Sequence, residues 1–157
     1  METSIRRKKK KKILMTLKNL LINISNLAIR EKIINSSMAG TSLYSINPKN
    51  IEGYPVLFSS PTGDHLVEEY TTTFNITLFY FDRLSNGDEN DIDIYSTAVE
   101  QLKSLINKIG DIEGVLKVED GYRITNFADT ETFDDRLAGA YATIDVVTDN
   151  KFLCDEE

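Results

Sequence analysis

The sequence predicts an α+β fold: an antiparallel β-sheet with two helices packed on one face, plus a basic N-terminal arm. Two segments repeat apolar residues at spacings of three and four, which is the period of an amphipathic helix. The segments between and after them alternate apolar and polar residues, which is the period of a strand. A helix, then strands, then a second helix and further strands is the order typical of a sheet that helices cover on one side.

The length and charge indicate one domain with charged ends. The chain has 157 residues, of which 41% are hydrophobic, so it can bury one core. The first 32 residues hold ten Lys or Arg and two acids, a net charge of +8, whereas the rest holds eight bases and 23 acids, a net charge of −15. We therefore expect a basic arm over residues 1–12, a single α+β domain over residues 13–148 and an acidic tail over residues 149–157.

The first predicted helix covers residues 13–34, with Ser36, Ser37 and Gly40 ending it. The second covers residues 91–109 and has Gly110 as its C-terminal cap. The second helix has the cleaner apolar stripe, formed by Tyr95, Ala98, Val99, Leu102, Leu105, Ile106 and Ile109.

The longest predicted strand covers residues 66–81, where a mostly apolar face alternates with a face that carries Thr71, Thr73, Asn75 and Thr77. Before it, Val56-Leu57-Phe58 predicts a strand, and Pro61-Thr62-Gly63-Asp64 predicts a turn. Further strands are predicted over residues 115–119, 122–127 and 137–147. The Ala138-Gly139-Ala140 stretch permits close backbone approach, either at an interface or in a tightly packed core.

No residue pattern points to an enzyme, a metal or a cofactor. His65 lies in a polar turn without His or Cys companions, and Cys154 has no His nearby to lower its pKa. The loop that starts at Asp88 fails the EF-hand pattern, which needs Gly at position six and Glu at position twelve. The acidic residues Asp129, Glu131, Asp134 and Asp135 are interpreted as a solvated or interface loop. The sequence has no Gly-rich phosphate loop.

The basic arm is the candidate contact site, and it is open to four interpretations. It can dock on an acidic partner, contact DNA phosphates without reading sequence, stay solvated, or lie on a membrane surface. Partner docking is favoured, and base stacking is disfavoured because no aromatic residue interleaves the bases. The arm's seven contact residues are Arg6, Arg7, Lys8, Lys9, Lys10, Lys11 and Lys12.

The layout of the chain resembles the tail-terminator family and related neck proteins of tailed bacteriophages. The matching parts are the helix at 13–34, the strand that ends in Phe74-Asn75-Ile76-Thr77-Leu78-Phe79-Tyr80-Phe81, the helix at 91–109 and the strand Tyr141-Ala142-Thr143-Ile144-Asp145-Val146-Val147. The composition, rich in Ile, Asn, Lys and Asp, also resembles neck ring proteins of crAss-like phages. The resemblance covers about residues 13–148 and lies in element order rather than in a sharp motif.

The resemblance implies a structural virion protein, a head–tail connector or tail terminator, that forms a ring of six or twelve copies around the DNA channel. The implied partners are further copies of the chain and portal, neck or tail proteins. The single cysteine and the lack of an apolar run of roughly 18 residues favour assembly in the host cytoplasm without a membrane. The alternative is a small DNA-binding or regulatory module that uses the basic arm.

Overall fold

The computed structural model describes residues 15–41, 53–84, 90–129 and 136–150. Within these residues the chain forms two helices and a six-stranded sheet, which confirms the predicted α+β class. The elements are α1 (Leu17–Arg30), β1 (Ser36–Ala39), β2 (Val56–Val67), β3 (Thr71–Arg83), α2 (Asp91–Ile109), β4 (Val115–Val118), β5 (Ile124–Asp129) and β6 (Leu137–Asp149). The helix predicted at 91–109 has the predicted bounds.

The sheet is mixed rather than wholly antiparallel. The strand order is β1-β2-β3-β6, and both β4 and β5 pair with β6 on the far side. The β1–β2 pair is parallel, and the other four pairs are antiparallel. The parallel pair was not predicted, because a strand of four residues such as β1 is too short to show a clear alternation. The strands β4 and β5 form one interrupted edge, because β4 pairs near residues 146–148 of β6 and β5 near residues 137–142.

The first helix is shorter than the predicted range of 13–34. It begins at Leu17, and the Oγ1 of Thr16 accepts a hydrogen bond from the Asn19 amide at 3.1 Å. It ends without glycine, because Lys32 takes a left-handed backbone conformation with φ of 56°. The amides of Lys32 and Ile33 then donate back to the carbonyls of Ile29 and Ala28, which is the Schellman pattern.

The hairpin of β2 and β3 corrects two further predictions. The predicted turn Pro61-Thr62-Gly63-Asp64 lies inside β2, and the register of the two strands shifts between Pro61 and His65. Gly63 has φ of 100°, a conformation that glycine adopts without strain, so these residues form a bulge rather than a turn. The true turn is at residues 68–70, so residues 66 and 67 belong to β2 and not to the following strand.

Both helices pack on the same face of the sheet, as predicted. Leu20 and Ile24 of α1 join Leu102 and Leu105 of α2 in one buried cluster. The sheet contributes the apolar residues of β2, β3 and β6 that point toward the helices, among them Leu57, Ile76, Leu78, Ala140, Ala142 and Ile144. At the surface, Lys108 of α2 forms an ion pair with Glu31, the C-cap residue of α1. The hydrogen bond from Lys108 lowers the pKa of the Glu31 carboxyl.

The opposite face of the sheet is aromatic at one end. Phe58 and Phe81 are buried there, and Phe79 lies between Phe58 and Phe127 with ring centroids 6.0 Å from each. The backbone of β6 approaches β3 closely at this end. A Cβ on Gly139 would lie 1.8 Å from the carbonyl oxygen of Tyr80, so the glycine serves core packing rather than an interface.

The predicted domain from residue 13 to residue 148 is compatible with this sheet. The first two residues of the predicted tail are described, because Asp149 ends β6 and Asn150 follows it, whereas residues 1–14 and 151–157 lie outside the described residues. No helix in the described ranges is long and apolar enough to cross a membrane.

Candidate interaction surfaces

The seven basic residues Arg6 to Lys12 lie outside the described part of the chain, so their docking role stays a prediction. The structure does show where the described chain begins. Met15 lies beside Gly114, because a Cβ on that glycine would lie 3.3 Å from Cε of Met15. The Gly114 carbonyl in turn accepts a hydrogen bond from the Asp149 amide at 3.1 Å. Residue 15 therefore lies at the end of the sheet where β6 finishes.

The tip of the β2–β3 hairpin, residues 66–70, exposes three large apolar side chains. Leu66 is 59% exposed, Val67 is 73% exposed and Tyr70 is 58% exposed. Leu66 and Val67 are neighbours in β2 and therefore point to opposite faces of the sheet. The hairpin tip is consequently apolar on both sides and not only on the side that faces the helices.

The hairpin tip is held in place by the residue that follows β6. The Asn150 amide donates to the Tyr70 carbonyl at 2.8 Å. Its side chain accepts from Oγ1 of Thr72 at 2.9 Å and donates to the Glu68 carbonyl at 3.3 Å. Asn150 itself is buried. These bonds fix the tip against the end of β6, so its apolar side chains are presented on an ordered support.

The three charged side chains of the hairpin tip and of the bulge beside it are acidic. Asp64, Glu68 and Glu69 lie in or beside it, and the sequence has no Lys or Arg between residues 53 and 82. The first base, Arg83, lies at the opposite end of β3. Among the described residues, no basic side chain forms a salt bridge with these three carboxylates. The tip therefore combines apolar area with an acidic border that has no basic partner among the described residues.

A second apolar surface lies on the outer side of α1. Ile22 and Ile29 are 46% and 51% exposed, and they are seven residues apart, so both lie on one side of the helix. The buried residues Leu20, Ile24 and Leu27 define the opposite side. This outer stripe of α1 agrees with the sequence, in which the apolar face of the first helix is unusually broad.

His65 is not the solvated turn residue that the sequence predicts. It lies in β2 opposite Phe74, and the two rings meet edge to face with centroids 5.4 Å apart. Its Nδ1 accepts a hydrogen bond from the Asn75 amide at 3.2 Å. The imidazole therefore binds the neighbouring strand at the end of the bulge.

The acidic candidates weighed in the sequence form no metal site in the described residues. Asp91 uses Oδ1 to accept the Ile92 amide at 2.7 Å, at the start of α2. No group of three or more His, Cys, Asp or Glu side chains within the described ranges is arranged to hold a metal ion. Asp129 ends β5, whereas residues 130–135, residue 88 and Cys154 lie outside the described residues.

Sequence reasoning missed the hairpin tip because it placed residues 66–81 in one strand. The signal was the Glu68-Glu69 pair, since two consecutive acids break the alternation of apolar and polar residues. A turn at these acids leaves Leu66 and Val67 at the end of the preceding strand and Tyr70 in the turn, where few other strands can cover them.

No protein-family model matches this chain, and no curated protein matches it at a significant level.

Proposed function

We propose that this protein is a structural subunit of the bacteriophage neck or tail, and that copies of it form a ring around the DNA channel. The observation that carries the proposal is the pair of separate apolar surfaces, one at the hairpin tip and one on the outer stripe of α1. Single exposed apolar residues are ordinary in monomers, but three within five residues on an ordered support favour a contact with another protein.

Two different surfaces suit a ring better than a twofold dimer. A cyclic ring is built from heterologous contacts, in which one surface of a subunit meets a different surface of the next. The hairpin tip is acidic and the N-terminal region is basic, so the two ends of such a contact differ in charge as well as in shape. Like charges repel, so this difference disfavours contacts between two identical surfaces.

The order of elements supports placement in the neck or tail. A helix, a long hairpin, a second helix against the sheet and a final strand that completes it follow the layout of the tail-terminator family noted in the sequence. In this proposal the protein is a head–tail connector or tail terminator, present in six or twelve copies, with portal, neck or tail proteins as neighbours.

Native mass spectrometry at low and high protein concentration tests the proposal. We expect a closed oligomer of six or twelve copies, and the fraction of the protein in that oligomer should rise with concentration. The variants Ile22→Ser/Ile29→Ser and Leu66→Ser/Tyr70→Ser should stay folded and lose the oligomer. The matched control Ser96→Ala/Thr97→Ala changes two exposed positions of α2 and should assemble as the unmodified chain does. A strict monomer at every concentration that also binds no neck or tail protein would refute the proposal.

A second candidate function is a small DNA-binding or regulatory module. The seven consecutive bases of the arm favour it, since such a run binds phosphates with an affinity that falls steeply with salt. A chain without residues 1–12 separates the two functions. Loss of DNA retention with oligomerisation intact would favour the module, whereas loss of oligomerisation would favour the ring.

A further inference from the structure

The exposed apolar side chains of the hairpin tip need a cover, and the chain itself contains a segment with matching chemistry. Leu66, Val67 and Tyr70 are each more than half exposed. Leu116 is also exposed. It lies at this end of the sheet, because its neighbour Val115 pairs with Thr148, and Thr148 pairs with Thr72. The occupant must offer apolar groups to these side chains and positive charge to the carboxylates around them.

The N-terminal arm offers both in one short stretch. Residues 6–12 are seven consecutive bases, and Ile13 and Leu14 follow them directly. The acids at the tip have no basic partner among the described residues, as noted above. A segment with this composition therefore complements the tip in charge and in apolar content.

The arm is also attached at the correct end of the molecule. Met15 lies beside Gly114, Gly114 is bonded to Asp149, and Asp149 pairs with Thr71 at the start of β3. Nine extended residues, from 6 to 14, reach about 30 Å. The sheet is five strands wide, because β4 and β5 share one edge, and five strands side by side occupy about 24 Å. The arm is therefore long enough to cross one subunit and reach the next.

We propose that the arm of one copy docks on the hairpin tip of the adjacent copy, and this inference rests on the ring proposed above. In a cyclic ring every copy has the same height along the axis. In a ring whose axis runs along the strands, an arm that leaves one copy at the tip end therefore lies at the height of the neighbour's tip. An arm that docked on the tip of its own copy would neutralise the same charges. It would add no contact between copies, so the opposite charges of arm and body would not contribute to the ring.

Two full-length variants with reversed charge test this inference. Glu68→Lys/Glu69→Lys reverses the tip, and Lys8→Glu/Lys9→Glu/Lys10→Glu/Lys11→Glu changes the net charge of residues 6–12 from +7 to −1. Alone, each variant should assemble with a dissociation constant raised about tenfold or more, because both of its interface partners then carry charge of the same sign. Mixed in equal amounts, with one variant labelled with ¹⁵N, they should form alternating oligomers with affinity restored toward that of the unmodified chain.

The control variant Glu100→Lys/Asp120→Lys makes the same change in net charge as the tip variant, at exposed positions outside the tip. It should assemble normally, and thermal unfolding should show that all variants are folded. Three outcomes overturn the inference: the tip and arm variants assemble as well as the control, the mixture fails to restore assembly because the arm docks on its own copy, or the arm variant loses only DNA retention. In the first and third outcomes the ring itself survives, whereas a monomeric unmodified chain would reject the ring.

Discussion

The two halves of the β2–β3 hairpin differ sharply although the same two strands form them. In the packed half, residues 56–60 of β2 are all buried between β1, β3 and the two apolar clusters. In the tip half, residues 62–64 form the bulge and residues 65–67 pair with β3. Neither group has another strand beside it in the described structure, and all except His65 are exposed. Pairing alone therefore does not bury a strand. The packed half stabilises the fold, and the tip half extends a surface away from it.

The largest expected effect comes from adding a methyl group to Gly139, where the backbone of β6 lies against the backbone of β3. Gly139→Ala would place a Cβ 1.8 Å from the Tyr80 carbonyl oxygen and 2.7 Å from Cα of Phe81. Both neighbours are backbone, so they cannot move aside as a side chain would. We expect a loss of about 5 kcal/mol or more, or failure to fold, measured by chemical denaturation.

Gly110→Ala is the matched control for that substitution. Gly110 has φ of −59°, and the nearest atom to an added Cβ is 3.7 Å away. The variant should be as stable as the unmodified chain, or up to about 1 kcal/mol more stable. Equal stability of the two glycine variants would show that β6 does not approach β3 as closely as the structure indicates.

The next effect compares an apolar residue of each half directly. Phe58→Ala removes a ring that is 1% exposed, and we expect a loss of about 3–5 kcal/mol in the free energy of unfolding. Leu66→Ala at the tip should change it by about 0.5 kcal/mol or less in the monomer, because that side chain is already in water. Urea denaturation at low protein concentration measures both, and a large loss for Leu66→Ala would contradict the division of the hairpin.

Alkaline pH should weaken the packed half through Tyr80. Burial, with a smaller contribution from Asp82, raises the pKa of Tyr80 to about 12. An unfolded Tyr has a pKa of about 10, so between pH 10 and 12 the folded state holds a proton that the unfolded state has released. The free energy of unfolding should therefore fall as pH rises through this window, by about 2 kcal/mol in all. Denaturation of Tyr80→Phe, which has no phenol at this position, should show a correspondingly shallower fall.

The smallest effect concerns the support of the tip. Asn150→Ala removes the side-chain bonds to Thr72 and Glu68, and we expect a loss of about 1 kcal/mol. Hydrogen exchange should show faster exchange at the tip amides and unchanged protection in the packed half. Asn126→Ala, at an exposed position of β5, is the control and should alter neither. Uniform loss of protection would mean that the tip and the packed half unfold together.

The sequence was most informative where a single periodicity covered a whole element. The bounds of α2 were predicted correctly because its apolar stripe is clean and Gly110 follows it. The end of α1 was predicted too late for two reasons. Lys32 takes the left-handed conformation that glycine usually adopts after a helix, and Ile33 and Ile34 continue the apolar pattern beyond the helix.

The errors in the sheet have a common cause, since they depend on which strand lies beside which. Pro61 and Gly63 are typical of a turn, yet β2 runs through them, since β3 continues alongside and the bulge absorbs the extra residues. The exposed tip could not be derived from composition, because Leu66 and Val67 have the residue types of a core strand. Their exposure follows from the absence of a third strand beside them in the described sheet.

The position of β6 in the sheet means that the sheet is completed late during synthesis of the chain. This strand is the last of the described elements to leave the ribosome, yet it pairs with β3 over thirteen residues and also carries β4 and β5. Until it emerges, several seconds after β3 at ordinary rates of translation, the apolar residues of β3 have no neighbour on that side. Asn150, which fixes the tip, follows directly after it. A nascent chain therefore acquires its supported hairpin tip only after β6 has completed the sheet.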